Sequence, residues 1–175
     1  SVLPVKSVGV QGDFRTYRYP AVVNVNTTNN QNTSYDWDFL ERLSSTVTNS
    51  VSDVNRCVLS IYEKEGCNLF DKNCIKERLD QTREVDDIVL SILHETGWYS
   101  KIFQHLTINL PYATNDTHCS IVLRPVVSED VMTARFAHLP AEILNKIVEK
   151  IKKLDFVDNL YYDITNKPPA TFGWE

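Results

Sequence analysis

The sequence carries the same order of predicted elements twice, and this repetition constrains the fold more than any other feature. An apolar strand, an amphipathic helix and a second strand are predicted within residues 17–62 and again within residues 121–164. The two copies begin about 100 residues apart, at YRYPAVV (17–23) and IVLRPVV (121–127). This matched order favours a duplicated unit, although any α/β chain can show such echoes.

Hydrophobic spacing predicts a helix ending near Asn49 and another over residues 140–154, with a long helix over 75–96 and a strand over 100–110 between the two copies. Two such units can pack sheet against sheet or share one sheet with helices on a single face. Both arrangements predict a two-layer α+β fold with mixed sheets. We divide the chain into a first unit (1–70), a connecting helix and strand (71–118), and a second unit (119–175).

Two local features refine the first unit. The pair Gly12-Asp13, flanked by alternating apolar residues, predicts a β-hairpin or a sharp bend. Pro20 lies within the second alternating run and lacks a backbone N–H, so it belongs at an edge position or a bulge. The Asn-rich segment 26–34 cannot bury surface and is expected to be a loop.

Composition excludes several classes of protein. The net charge is −5, the basic residues are dispersed and 42% of the residues are hydrophobic, so neither a nucleic-acid surface nor a membrane span is indicated. The four cysteines form no CxxC pair, so we expect reduced thiols and a cytosolic location. No signal peptide is recognised, and the lack of an initial Met suggests a piece of a longer protein.

Motifs that support catalysis are missing. The sequence has no GxxxxGK[ST], GxGxxG, GxSxG or HExxH motif, so we expect no catalytic, metal or cofactor site within it. Three polar segments remain. Arg15 beside the predicted turn offers a fork for phosphate or carboxylate, the segment 128–136 is a crossover loop or a partner contact, and Pro168-Pro169 stiffens a tail that holds Lys167. The first two segments can equally be solvated connections, whereas a tail that carries Phe172 and Trp174 is expected to lie on a surface and to hold Lys167 in a fixed place.

Taken together, these segments resemble the C-terminal domain of GMP synthetase. The resemblance rests on VGVQGDFRTY (8–17), LRPVVSEDVMTARFAHLP (123–140) and YDITNKPPATFGWE (162–175). The helix end HETGWYSKIFQ (94–104) is similar to the longer, two-unit form of this domain in some eukaryotic enzymes. The resemblance covers nearly the whole chain.

The resemblance implies a dimerisation domain that completes the pocket for xanthosine 5′-monophosphate (XMP). Its XMP contacts would be Asp13, Arg15, Gln104 and Lys167. The amidotransferase domain and the ATP-pyrophosphatase domain, which binds ATP and Mg²⁺, would lie elsewhere in the enzyme, whose product is GMP. We also expect a homodimer, with Arg124 and Arg135 at its interface.

Two departures from the family pattern leave an alternative open. The family usually carries Glu at the position of Gly173, where it contacts XMP, and Arg at the position of Asn159. The alternative is an interaction scaffold whose nucleotide site has decayed.

Overall fold

A computed structural model describes residues 1–25, 34–71 and 73–175 of the chain. The helices are α1 (Trp37–Ser50), α2 (Lys76–Glu95) and α3 (Ala141–Ile151). The strands are β1 (Ser7–Gln11), β2 (Phe14–Val23), β3 (Val54–Tyr62), β4 (Asn68–Leu69), β5 (Gln104–Leu110), β6 (Tyr112–Ala113), β7 (Cys119–Val127), β8 (Arg135–Phe136) and β9 (Val157–Asp163). The Asn-rich segment predicted as a loop lies almost entirely outside the described residues.

The two units share one mixed sheet with the strand order β1-β2-β3-β9-β7-β5, and β8 pairs with β7. Strand β2 runs parallel to β3 and β7 runs parallel to β9, while β3 and β9 meet antiparallel at the centre. Strands β1 and β5 flank them antiparallel on the two sides. The predicted α+β fold with two related strand–helix–strand units is therefore confirmed, and the shared sheet is the arrangement that occurs. The division at residues 70 and 118 stays a prediction.

An approximate two-fold axis passes between Leu59 and Tyr162, which are paired across β3 and β9. The pairs on either side, Val58 with Asp163 and Ser60 with Tyr161, match under this rotation. It makes residues 57–61 equivalent to 160–164, as their sequences indicate. The echo between 17–23 and 121–127 is out of register, because Ala21 pairs with Cys57 whereas Ile121 pairs with Leu160.

All three helices pack on one face of the sheet. Helix α3 buries the stripe Ile143, Leu144, Ile147, Val148 and Ile151 against strand residues such as Leu59 and Leu123. The side chain of Asp36 caps α1 by accepting the backbone N–H of Phe39 at 2.9 Å. These contacts make one main hydrophobic core between the helix layer and the sheet.

The opposite face of the sheet carries a smaller apolar cluster. It contains strand residues of both units together with Leu3 and Trp174. The ends of the described chain therefore cover the face that the helices leave open.

Several local expectations need comment. The hairpin and the irregularity at Pro20 are confirmed, since the pairing of β2 with β3 shifts register between Tyr19 and Pro20. The predicted strand 100–110 begins only at Gln104, because a 3-10 turn (Tyr99–Lys101) continues from the end of α2. The connections after β3 and β5 contain the short paired strands β4 and β6, which composition did not indicate.

Candidate functional site

Asp13 and Arg15 lie at the tip of the β1–β2 hairpin. Gly12 has φ of +68°, a turn conformation that glycine adopts without steric cost. Arg15 follows the turn and pairs with Val10. Both predicted side chains are exposed, and neither has a hydrogen bond or ion pair to another described residue. They are therefore accessible to a ligand or to a neighbouring domain.

The C-terminal tail (residues 165–175) is fixed along its length. The N–H of Val10 donates to the carbonyl of Pro169 at 2.6 Å, and the N–H of Val8 donates to that of Trp174 at 2.8 Å. On the other side, Lys167 and Ala134 exchange two backbone hydrogen bonds of 2.7 and 3.1 Å. The tail thus lies between β1 and the segment before β8, as the expectation of a tail held on a surface required.

A buried charge cluster, formed by Arg56, Arg124 and Asp163, holds the tail from beneath. All three side chains are fully buried, and both guanidinium groups contact Oδ2 of Asp163, at 2.9 and 3.0 Å. The indole N–H of Trp174 donates to the same oxygen at 2.9 Å. One carboxylate thus compensates two cations.

Carbonyl groups of the tail accept hydrogen bonds from several of the remaining guanidinium N–H groups. Arg124 donates to the carbonyl of Phe172 at 2.7 Å and to that of Thr171 at 2.8 Å, and Arg56 donates to the carbonyl of Gly173. Hydrogen bonds from a charged donor are among the stronger ones in proteins. The charge cluster therefore depends on the tail, and the tail on the cluster.

Burial and pairing act against each other on the charges of this cluster. Burial lowers the pKa of Arg56 to about 10, although the neighbouring carboxylate opposes the shift. Burial alone would raise the pKa of Asp163, but the two guanidinium groups outweigh it, so the pKa is lowered. Arg56 and Asp163 are therefore both charged at neutral pH.

The cluster bears on one expectation about the dimer and was missed by sequence reasoning. Arg124 is inaccessible, so its guanidinium group cannot itself contact a second copy, whereas Arg135 is exposed and pairs with Glu41; the effect of either residue on the dimer stays a prediction. The available signal was a charged residue inside an otherwise apolar strand, which occurs at Arg56, Arg124 and Asp163. A buried position of that kind requires a partner.

Lys167 and Gln104 lie towards the opposite edge of the sheet from the hairpin. The ammonium group of Lys167 donates to the carbonyl of Val131 at 2.7 Å and lies 4.3 Å from the ring centroid of Phe172. The Phe172 ring is 5.4 Å from that of Phe103, the residue before Gln104. Gln104 is exposed at the start of β5.

The tail links the two pairs of predicted site residues. Arg15 pairs with Val10, and Val10 is bonded to Pro169, two residues after Lys167. The backbone of Arg15 is thus separated from that of Pro169 by two strand spacings, which amount to about 10 Å. Asp13 and Arg15 thus lie on the same hairpin, and Lys167 is connected to that hairpin through the tail. That these residues bind one ligand together stays a prediction.

A cavity of about 560 Å³ opens between the hairpin, α1 and the tail. Neutral polar side chains line much of it, among them Gln11, Ser44, Thr48 and Asn166. The Oε1 atom of Gln11 and the Oγ atom of Ser44 are buried and have no hydrogen-bond partner among the described residues. The cavity is large enough for a small organic ligand.

The two positions that depart from the family pattern, Gly173 and Asn159, have different surroundings. The three atoms nearest to a Cβ atom placed at Gly173 belong to the flexible carboxyl group of Glu175, at 2.7 to 3.0 Å. Asn159 is buried, accepts the N–H of Lys64 at 2.8 Å and donates to Ser120 at 2.7 Å. Gly173 is therefore compatible with a longer side chain, whereas Asn159 belongs to the packed interior.

A possible metal-ligand group is already occupied by a protein cation. Within the described part of the chain, Asp38, Glu41 and His138 bring ligand atoms within 4.8 Å of one another. Both carboxylate oxygens of Glu41, however, accept hydrogen bonds from Arg135. None of the described helices is long and apolar enough to cross a membrane.

Sequence comparison provides the decisive observation on the family. A family model described as "GMP synthase C terminal domain" matches residues 1–69 and 91–174. This chain belongs to the GMP synthase C-terminal domain family.

The relatives of this GMP synthase domain are much longer than the chain. It is 37% identical over 183 residues to a probable glutamine-hydrolysing GMP synthase of Leptospira interrogans, covering 99% of the chain and 28% of that protein. The GMP synthase of Aliarcobacter butzleri is 41% identical over 108 residues, and that of Nitratidesulfovibrio vulgaris is 40% identical over the same length. Both of these matches cover 57% of the chain and 21% of the relative. The chain thus spans between a fifth and a third of these relatives.

Proposed function

We propose that this domain is part of a glutamine-hydrolysing GMP synthase that forms GMP from XMP, ATP and glutamine in the cytosol. The family match along the chain carries this proposal. The domain itself performs no chemical step. The amidotransferase and ATP-pyrophosphatase domains, the latter with ATP and Mg²⁺, supply the catalysis.

In this proposal the hairpin and the tail complete the XMP pocket. Arg15 and Lys167 bind the phosphate as a guanidinium fork and an ammonium group, and Gln104 binds a hydroxyl or a base edge. Asp13 accepts a hydrogen bond from the ribose or orients Arg15. The support is that the tail is fixed and borders β1, with Arg15 exposed beside it.

Calorimetric titration of XMP tests this site. The titration uses the chain alone and the chain joined to an ATP-pyrophosphatase domain. We expect binding that strengthens in the joined form and falls at least tenfold in Arg15→Ala and Lys167→Ala, because each substitution removes a charged contact to phosphate. Arg42→Ala, an exposed arginine on α1, is the matched control.

The alternative is a scaffold with a decayed nucleotide site, favoured by Gly173. It predicts no heat of XMP binding in either form. Equal affinity of the wild type, Arg15→Ala and Lys167→Ala would likewise contradict the proposed site, even if XMP bound elsewhere.

The exposed aromatic residues of the hairpin fit the enzyme's own ATP-pyrophosphatase domain. Phe14 is 78% exposed and Tyr17 is 62% exposed, on either side of Arg15. We expect that domain to cover both rings, so that XMP is enclosed between the two domains. Hydrogen exchange of residues 12–18 should slow in the joined form; unchanged exchange would contradict this contact.

The homodimer is proposed to form through the outer edge of β5. The central strands β3 and β9 already pair within the chain, and the tail covers part of β1. A two-fold pairing of β5 with its copy would extend the sheet. Sedimentation should show a dimer that Leu106→Lys weakens, and a monomer at all concentrations would exclude it.

A further inference from the structure

Lys167 differs from the hairpin arginine in how its charge is held. A lysine side chain has four rotatable bonds, so placing its ammonium group on a ligand normally costs conformational entropy. Here the ammonium group already contacts the carbonyl of Val131 at 2.7 Å and the face of Phe172 at 4.3 Å. Its position is thus set before any ligand arrives.

The ring beneath Lys167 is itself fixed on two sides. Its backbone carbonyl accepts the Nε–H of the buried Arg124 at 2.7 Å, and its ring packs on Phe103 at 5.4 Å. The platform, defined here as Phe172 with Phe103, therefore connects the buried charge cluster to the surface. A ring within about 6 Å of a cation attracts it through its negative face.

The carbonyl of Val131 is aimed at Lys167 by an unusual backbone. Val131 has φ of +63°, a region that β-branched residues avoid because of steric crowding. The loop maintains it with a hydrogen bond of 3.0 Å from the N–H of Val131 to Ser128. Strained backbone of this kind is typical of functional positions.

The ammonium group retains capacity for a ligand. It has three N–H donors. The carbonyl of Val131 accepts one of them and the face of Phe172 is in contact with the cation, so a donor remains for a ligand. We propose that Phe172 is a positioning residue for XMP binding, because it holds Lys167 with a free donor directed at the phosphate. This inference rests on the proposed function, in which Lys167 binds that phosphate.

The test measures steady-state kinetics of the intact synthase. Phe172→Leu removes the ring face but keeps an apolar side chain, so we expect the KM for XMP to rise about two- to fivefold, while kcat and the KM for ATP stay unchanged. Phe172→Tyr, which keeps the ring, should restore the wild-type KM. Tyr19→Leu removes a ring 5.5 Å from Lys6 and is the matched control without effect.

The outcomes separate this inference from the proposed function. If Lys167→Ala raises the KM for XMP and Phe172→Leu does not, the positioning role is wrong and the phosphate site stands. If Lys167→Ala has no effect, the phosphate site itself is wrong and the positioning role is overturned with it. An equal loss in Phe172→Leu and Phe172→Tyr with lowered thermal stability would show a packing role only, which also overturns the inference.

Discussion

At the scale of single residues, the buried charge cluster is the most consequential feature. Two guanidinium groups and one carboxylate lie without access to water, and carbonyl groups of the tail and of Val8 accept hydrogen bonds from the two cations. Such an arrangement is costly if any member is removed, because the remaining charges stay buried without compensation. The position of the tail, and so of Lys167, depends on Asp163.

Asp163→Asn should lower the free energy of unfolding by about 3 to 5 kcal/mol, because it leaves Arg56 and Arg124 facing each other. Urea denaturation measures the change. Asp80→Asn, which breaks exposed ion pairs on α2, should leave the denaturation midpoint unchanged. Similar midpoints for the two variants would show that the cluster contributes little to stability.

Gly173→Glu should strengthen XMP binding by about tenfold, because it restores the carboxylate of the family pattern at a position whose nearest neighbour is the flexible carboxyl group of Glu175. The measurement is the Kd for XMP in the joined form. Gly173→Ala is the control and should not change it. No gain in Gly173→Glu would mean that this part of the tail does not face the ligand.

At the scale of elements, the duplication has diverged in one instructive place. The sequence offset that relates residues 57–61 to 160–164 also relates Lys64 to Lys167, although the β3–β9 pairing shifts register between Ser60 and Tyr62. The Lys64 ammonium group is paired with the buried Asp158 at 2.8 Å, whereas that of Lys167 contacts a carbonyl and a ring and forms no ion pair with any described residue. Lys64 of the first unit therefore serves an ion pair within the chain, and its charge is not available to a ligand.

We accordingly predict one XMP site per chain. Lys64→Ala should keep both the stoichiometry and the affinity, whereas Lys167→Ala should weaken binding at least tenfold. Calorimetry at a known chain concentration decides this. A stoichiometry of two would indicate that both lysines serve a ligand.

The buried His105 on strand β5 should make the free energy of unfolding depend on pH. The side chain of His105 is almost fully buried, and burial lowers its pKa to about 4. Because the unfolded chain binds this proton near pH 6.5, stability is full above that pH and falls as the pH drops towards 4. We expect a loss of about 2 kcal/mol between pH 7 and 5, reduced in His105→Gln and unchanged in the exposed His94→Gln. A pH-independent wild type would contradict this.

Element positions were largely predictable from sequence, and the site only in part. The Gly12-Asp13 turn, strand β3 and helix α3 follow from local chemistry, namely turn residues and apolar spacing. The pairing of Arg56 with Asp163 spans 107 positions, so no local pattern indicates it. The platform under Lys167 likewise combines Phe172 with Phe103, which only the fold brings together.

At the scale of the whole molecule, the two units cannot be treated as separate bodies. Strand β9 of the second unit lies between β3 and β7, and the tail of the second unit is bonded to β1 of the first. The central β3–β9 pairing and the hydrogen bonds between the tail and β1 thus cross the boundary between units. Folding of either unit alone would leave a long unpaired edge and the charge cluster incomplete.

Fragments 1–70 and 71–175 should each fail to unfold cooperatively, because neither contains both sides of the β3–β9 pair. Near-ultraviolet circular dichroism of each fragment, and of their equimolar mixture, measures this. The intact chain is the control. A sharp transition in either fragment alone would show that the division corresponds to independent domains.

The place of β9 in the sheet also bears on how the protein is made. It is later in the sequence than every other strand, yet it occupies the middle of the layer. During synthesis, the edges of β3 and β7 that pair with β9 stay unpaired until residues 157–163 have left the ribosome. A chain released before β9 is made therefore exposes the unpaired edges of β3 and β7. We expect the folding of this domain to depend on chaperones more than that of a domain whose central strand is made early.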